Sequence, residues 1–196
     1  MQTTDFDLEA ALREIPDVTP CDSPIEDIFY YEYQKVAAPG VRISRQFECS
    51  TKLGTFYLDF LVELANRRIG IECDGKDFHD RQRDDGRDRA IIEAGRIDCI
   101  YRLRGRDIYY HLHDAFDLMR FREGSFFSQR GLANIKALAS REHEHRDQTC
   151  NTPTGYSYAV VRWHERAEGQ SDWDEDRTEG EFPFPTVVRW MDKYVL

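Results

Sequence analysis

Two stretches near the middle of the chain alternate apolar and polar residues with a period of two. In the first, Leu58, Phe60, Val62 and Leu64 alternate with Tyr57, Asp59, Leu61 and Glu63; in the second, Ile69, Ile71 and Cys73 alternate with Gly70, Glu72 and Asp74. That period predicts two half-buried strands joined as a hairpin, with the acids off the apolar phase. A turn at Ala65-Asn66 sets Asp59 opposite Glu72, and a turn at Asn66-Arg67 sets it opposite Asp74. Either register gathers three carboxylates on one face. Side chains facing each other there have Cβ atoms roughly 4.5–5.5 Å apart, and like charges so placed destabilise the pair unless something positive lies among them. A divalent cation meets that need, because hard oxygen donors suit Mg2+ or Mn2+.

The flanking pattern predicts the remaining elements. An N-terminal helix is expected over about Phe6 to Ile15. Ser23-Pro24-Ile25-Glu26 marks the start of another, with Ser23 as N-cap, Pro24 in the first position and Glu26 closing a capping box. That helix carries Ile28, Phe29, Tyr33 and Val36 up to the stop at Pro39-Gly40. Val41 to Phe47 reads as a strand. After the hairpin, a polar stretch from Asp77 leads into a helix ending near Gly95. Ile97 to Leu103 is an alternating strand, and Asp107 to Arg122 a helix with Ile108, Leu112, Ala115, Phe116 and Met119 on one side.

From about Phe126 the pattern weakens. Leu132, Ile135 and Leu138 suggest a helix running into the charged stretch Arg141 to Arg146, and Thr149 to Thr154 reads as a linker. Val160-Val161-Arg162-Trp163 recurs as Val187-Val188-Arg189-Trp190 around an acidic loop with Asp172, Asp174, Glu175 and Asp176. The repeat is either two strands of one hairpin or a coincidence of four residues. The expected organisation is a core over residues 1–125 and a C-terminal extension over 126–196, with a helix, an acidic tail and no assigned function.

A chain of 196 residues with 40% apolar and 13% aromatic residues is long enough to bury a real core. It has no apolar run of membrane-spanning length and no signal-like start, so the expectation is a cytoplasmic protein. Its five cysteines are scattered without a C-x-x-C pair, which argues for reduced thiols, with Cys73 and Cys99 as small core residues. The net charge of −10 argues against a protein that coats nucleic acid nonspecifically. The average hides an asymmetry. Between Arg81 and Arg106 lie eight arginines against five acids, directly after the carboxylates, as a phosphate-handling site requires. The alternative for each arginine is ion pairing along a solvated helix.

The order helix, three strands, helix, strand, with Asp59 on the second strand and Glu72-Cys73-Asp74 on the third, resembles the PD-(D/E)xK restriction-endonuclease-like superfamily. Ile71 to Lys76, followed by His79, Arg87-Asp88-Arg89, Gly95 and Tyr101-Arg102, looks most like the very short patch repair (Vsr-like) endonucleases. The resemblance covers about Ser23 to Leu118. It implies an α/β fold whose mixed central sheet is flanked by helices. It also implies a Mg2+-dependent deoxyribonuclease, with Mn2+ able to substitute, acting in restriction, phage or mobile-element defence, or repair nicking. Asp59 is then the central metal ligand and Glu72 the second, with the Cys73 carbonyl as a further oxygen. Asp74 stands where the superfamily lysine is expected, and either ligates the metal as well or holds Lys76 or an arginine. Lys76 is within reach of the scissile phosphate. His79 serves as a general base or acid, for which an ordinary pKa of about 6.5 suits it, or else is a surface or capping residue. Glu26 either only caps its helix or completes the metal site, and Gln46 resembles a glutamine near the site in these relatives. Arg81, Arg83, Arg87 and Arg89 are the expected nucleic-acid-binding residues; Arg87 and Arg89 face the phosphate backbone or else pair with Asp84, Asp85 and Asp88.

His111 with His113, and His143 with His145, are i,i+2 pairs on expected helices, where they point apart and make poor metal pairs. Two other functions remain open: a catalytically silent nuclease-fold protein that binds nucleic acid, and an assembly component whose acidic tail engages a basic protein partner. DNA is the expected substrate, with RNA not excluded, and no membrane is involved.

Overall fold

The computed structural model describes residues 19–75, 81–139, 143–148, 157–163 and 186–193. Helix α1, Pro24–Val36, begins where the capping signal lies: the Ser23 hydroxyl oxygen accepts from the Glu26 N–H, and Pro24 occupies the first turn. The helix buries Phe29, Tyr30, Tyr33 and Val36. Strands β1 (Arg42–Thr51), β2 (Gly54–Leu64) and β3 (Arg67–Asp74) follow as an antiparallel meander. Helix α2 (Arg81–Glu93) carries the chain across to β4 (Cys99–Arg104), which lies parallel to β3. Helix α3 (Gly105–Glu123), kinked at His111, and helix α4 (Gln129–Leu138) come next. Strands β5 (His143–Gln148), β6 (Ser157–Trp163) and β7 (Thr186–Asp192) end the described chain.

The seven strands form one mixed sheet in the order β1-β2-β3-β4-β7-β6-β5, and β3 with β4 is its parallel pair. One face is covered by an aromatic core in which Phe29, Tyr33, Phe116 and Phe127 meet Phe60, Ile71, Tyr101 and Trp190. The other is covered by α2, whose Ile91 and Ile92 pack with Leu58, Leu61, Ile100 and Met191. Burial on both faces explains the unbroken buried runs Ile69 to Glu72 and Cys99 to Leu103. The α/β class, the order α-β-β-β-α-β and the helix-flanked mixed sheet agree with the sequence pattern.

The differences have physical causes. Leu58 and Phe60, two apart on β2, lie in opposite cores, so one alternating face does not run through residues 58–64. The register Arg45↔Phe60 resumes as Phe47↔Leu58, and the pair between them, Gln46 and Asp59, drops out of the ladder. Gln46 there has φ of 46°, a left-handed conformation uncommon for a residue with a side chain. Both strands therefore change face together at Gln46 and Asp59.

The charged stretch after α4 forms strand β5 instead of continuing a helix, so the helical argument separating positions 143 and 145 does not hold there. The two VVRW segments lie on adjacent antiparallel strands, with Val160 opposite Val187. Strand β7 hydrogen-bonds to β4, so this part of the 126–196 extension is continuous with the core sheet. Helix α4 docks on the end of α1 through Gly131, where a Cβ would meet the Val36 carbonyl oxygen at 2.2 Å. The expected helix over 6–15, the linker over 149–154 and the acidic loop with Asp172 to Asp176 lie outside the described residues. Among the described residues, no helix is long and apolar enough to cross a membrane.

Candidate active site

The β2–β3 ladder pairs Leu64 with Arg67 across Ala65-Asn66, the first of the two possible turns. Ala65 takes φ of 51°, as a tight two-residue hairpin requires. Carried one step past Phe60↔Ile71, this register brings Asp59 to the level of Glu72. Because pairing is interrupted at Asp59, its side chain does what the ladder does elsewhere: Oδ2 accepts from the Cys73 N–H at 2.7 Å. This bond fixes the carboxylate beside β3.

Glu26 approaches from α1. Its Oε1 accepts from the Ser23 hydroxyl at 2.6 Å, and its Oε2 from the Gln46 amide at 3.4 Å. The strained Gln46 thus touches Glu26 at the point where both strands change face. Glu26 and Glu72 are both buried. Burial pushes the Asp59 pKa up to about 6; the Cys73 N–H and Arg87 oppose the rise, while Glu26 and Asp74 add to it. Burial also pushes Glu72 well above the usual carboxylate range, against the pull of Arg87 and with the help of Asp59. The Cys73 thiol is pushed well up by its burial, followed by the charge of Asp59 and Glu26. It is therefore a neutral core thiol, and Cys99 is fully buried as well.

The positive groups that the crowded acids require are arginines. Arg87 of α2 donates to Glu72 Oε1 and to the Tyr57 carbonyl. Its Nε is buried without a hydrogen-bond partner, 3.9 Å from Asp88 Oδ1. Arg102 of β4, 2% exposed, grips both oxygens of Asp88 at 2.7 and 2.9 Å and donates to Asp74 Oδ1 at 2.7 Å. Burial works against its charge, but the bonds and charge of Asp88, then Asp74 and Glu72, outweigh burial and hold it protonated. Arg189 of β7 donates to the other Asp74 oxygen at 3.1 Å. Asp74 thus holds two arginines, one of the roles left open for it. Asp88, expected as a partner of Arg87 or Arg89, lies in ion-pair range of Arg87 and also anchors Arg102.

Asp59, Glu72, Glu26 and Gln46 come together where the middle of β2 passes the C-terminal end of β3. Lys76 and His79 lie outside the described residues, as does the side chain of Arg81. Arg83 and Arg89 are exposed on α2. Among the described residues, no three His, Cys, Asp or Glu side chains already stand as a metal cage. The donor set nevertheless fits a hard divalent cation: it is made of carboxylate oxygens, and burial raises the pKa of Asp59 and Glu72.

Sequence reasoning did not assign Arg102 and Arg189 to the site. Arg102 carries a signal, since an arginine inside the apolar run from Cys99 to Leu103 has to be buried with an anion. Arg189 has only its place in the repeated VVRW. Comparison with known families, curated proteins and solved structures finds no match for this chain.

Proposed function

We propose that the protein is a Mg2+-dependent endonuclease that hydrolyses phosphodiester bonds in DNA. The observation that carries this reading is the gathering of three carboxylates, Asp59 held against β3 by the Cys73 N–H with the buried Glu72 and Glu26 beside it. Charge sites of this kind are made whole by a divalent cation at neutral pH. Asp59 and Glu72 are the residues to hold it, with Glu26 alongside. A metal bound there would polarise the phosphate and make water a competent nucleophile. The Cys73 N–H keeps the Asp59 carboxylate in one orientation. Lys76 and His79 follow β3 in sequence and supply the proton-handling and phosphate-binding groups, while Arg81, Arg83 and Arg89 attract the backbone of DNA or RNA; Arg87, also expected there, is committed to Glu72.

A second reading is a nuclease-fold protein that binds nucleic acid without cutting. Glu72 and Asp74 are already paired with arginines, and Asp74 replaces the lysine of the superfamily pattern. Incubation with supercoiled plasmid in Mg2+ or Mn2+ separates the two. The endonuclease gives nicked or linear product that EDTA suppresses, and His79→Ala slows it at least about 100-fold. Bound but intact plasmid at every metal concentration would favour the silent protein.

A further inference from the structure

The Asp74 anomaly has an answer at the other end of the chain. On the assumption that the endonuclease reading holds, we propose that Arg189, delivered by β7, is the cation that meets the phosphate beside the metal carboxylates, supplying the positive charge that Asp74 does not.

Among the described residues, three arginines stand near the acids, and their surroundings differ. Arg102 is 2% exposed and is held by Asp88 and Asp74. A ligand does not reach it. Arg87 is bonded to Glu72, the same carboxylate that is to hold the metal. Arg189 is part-exposed, with 23% of its side chain accessible, and among the described residues its hydrogen bond is the one to Asp74. A guanidinium has five N–H donors arranged to meet two oxygens at once, so one bond to Asp74 leaves it able to grip an oxyanion.

The register makes this placement costly unless it is used. Arg189 lies directly opposite Arg102 on the β4–β7 ladder, and like charges facing each other across antiparallel strands are destabilising. Asp74 reconciles them by giving one oxygen to each. An aspartate two residues after Glu72 therefore brings an arginine to the face where a lysine would have stood. Positions two apart on a strand share a face and lie roughly 6–7 Å from each other. Glu72 and Asp74 share one face of β3, so a phosphate drawn to a cation at Glu72 would lie on the side where Asp74 holds Arg189. Strand β7 becomes part of the site.

The test compares wild type with Arg189→Lys and Arg189→Gln, all shown to melt cooperatively at similar temperatures. DNA binding is measured on the non-cutting Asp59→Asn background with a short duplex over a range of salt. Loss of a phosphate contact in Arg189→Gln is expected to weaken binding about tenfold. It also lowers the slope of log K against log salt by about 0.9, and Arg189→Lys keeps most of that slope. With Asp59 intact, Arg189→Gln slows plasmid cleavage on the order of 100-fold while Mn2+ affinity is unchanged. If wild type does not cut but Arg189→Gln still loses the slope, the phosphate contact stands and the hydrolase reading falls. An unchanged slope and affinity in Arg189→Gln, or a wild type that binds no DNA, overturns the proposal.

Discussion

Replacing Asp59 by asparagine is expected to abolish cleavage and, in the same molecule, to make the metal-free protein more stable at neutral pH. The folded pKa of about 6 lies above the ordinary carboxylate value, so folding favours the protonated form. At pH 4 the folded carboxyl is protonated and the unfolded one is half so; the charge costs the native state little. As pH rises from about 4 to 6 the unfolded chain has lost its proton while the native state still holds it. Stability therefore falls across that window. Above about pH 7 both states are ionised and the penalty is complete, up to about 3 kcal/mol for a shift of this size. Asparagine keeps an oxygen to accept from the Cys73 N–H and carries no charge. Urea unfolding in EDTA should show the variant level with wild type near pH 4 and more stable at pH 7.5. A stability difference that does not grow with pH would show that Asp59 is not under electrostatic stress. Loss of the central ligand should lower the cleavage rate at least about 10³-fold, since metal stabilisation of the transition state is worth several kcal/mol.

Replacing Arg102 by leucine is expected to destabilise the protein by about 3–5 kcal/mol. The substitution leaves fully buried Asp88 without its bidentate partner and Asp74 with one arginine instead of two. Removing one member of a buried ion pair strands the other charge in a medium that cannot solvate it. The double variant Arg102→Leu with Asp88→Leu removes both charges and should recover most of the loss. Chemical denaturation of the single and double variants measures this directly. A single variant within about 1 kcal/mol of wild type would mean that Asp88 finds water or another cation.

Much of the architecture was legible because it follows from local rules. Ser23, Pro24 and Glu26 announce α1 through backbone capping, and the alternation over residues 57–64 and 69–74 suffices for two strands. What local pattern does not contain is the face of Leu58. It depends on a left-handed Gln46 thirteen residues from Asp59 in sequence and opposite it in space, which turns both strands at once. The two possible hairpin turns were equivalent by parity, and only the observed pairing of Leu64 with Arg67 selects Glu72 as the residue level with Asp59.

The candidate site was legible as a charge problem and illegible as a solution. Three acids off the apolar phase of two strands demand positive neighbours, and Arg87 lies close enough in sequence to be among those considered. Arg189 is 115 residues from Asp74 and reaches it only because β7 inserts beside β4. A seven-residue strand in a polar tail gives no local sign of which sheet it joins, or on which side. The same non-local pairing makes Asp74 a bridge between two arginines, while Glu72 takes Arg87 and, among the described residues, Asp59 and Glu26 have no ion pair.

Asp59, Glu72 and Glu26 are the carboxylates expected to seat a divalent cation. Calorimetric titration of Mn2+ into metal-free wild type and Asp59→Asn at pH 6.5, in buffers of different ionisation enthalpy, tests this most directly. Saturable binding to wild type with release of protons from the acids is expected, and no saturable binding to the variant. Absence of binding to wild type, or equal binding by the two proteins, would contradict it.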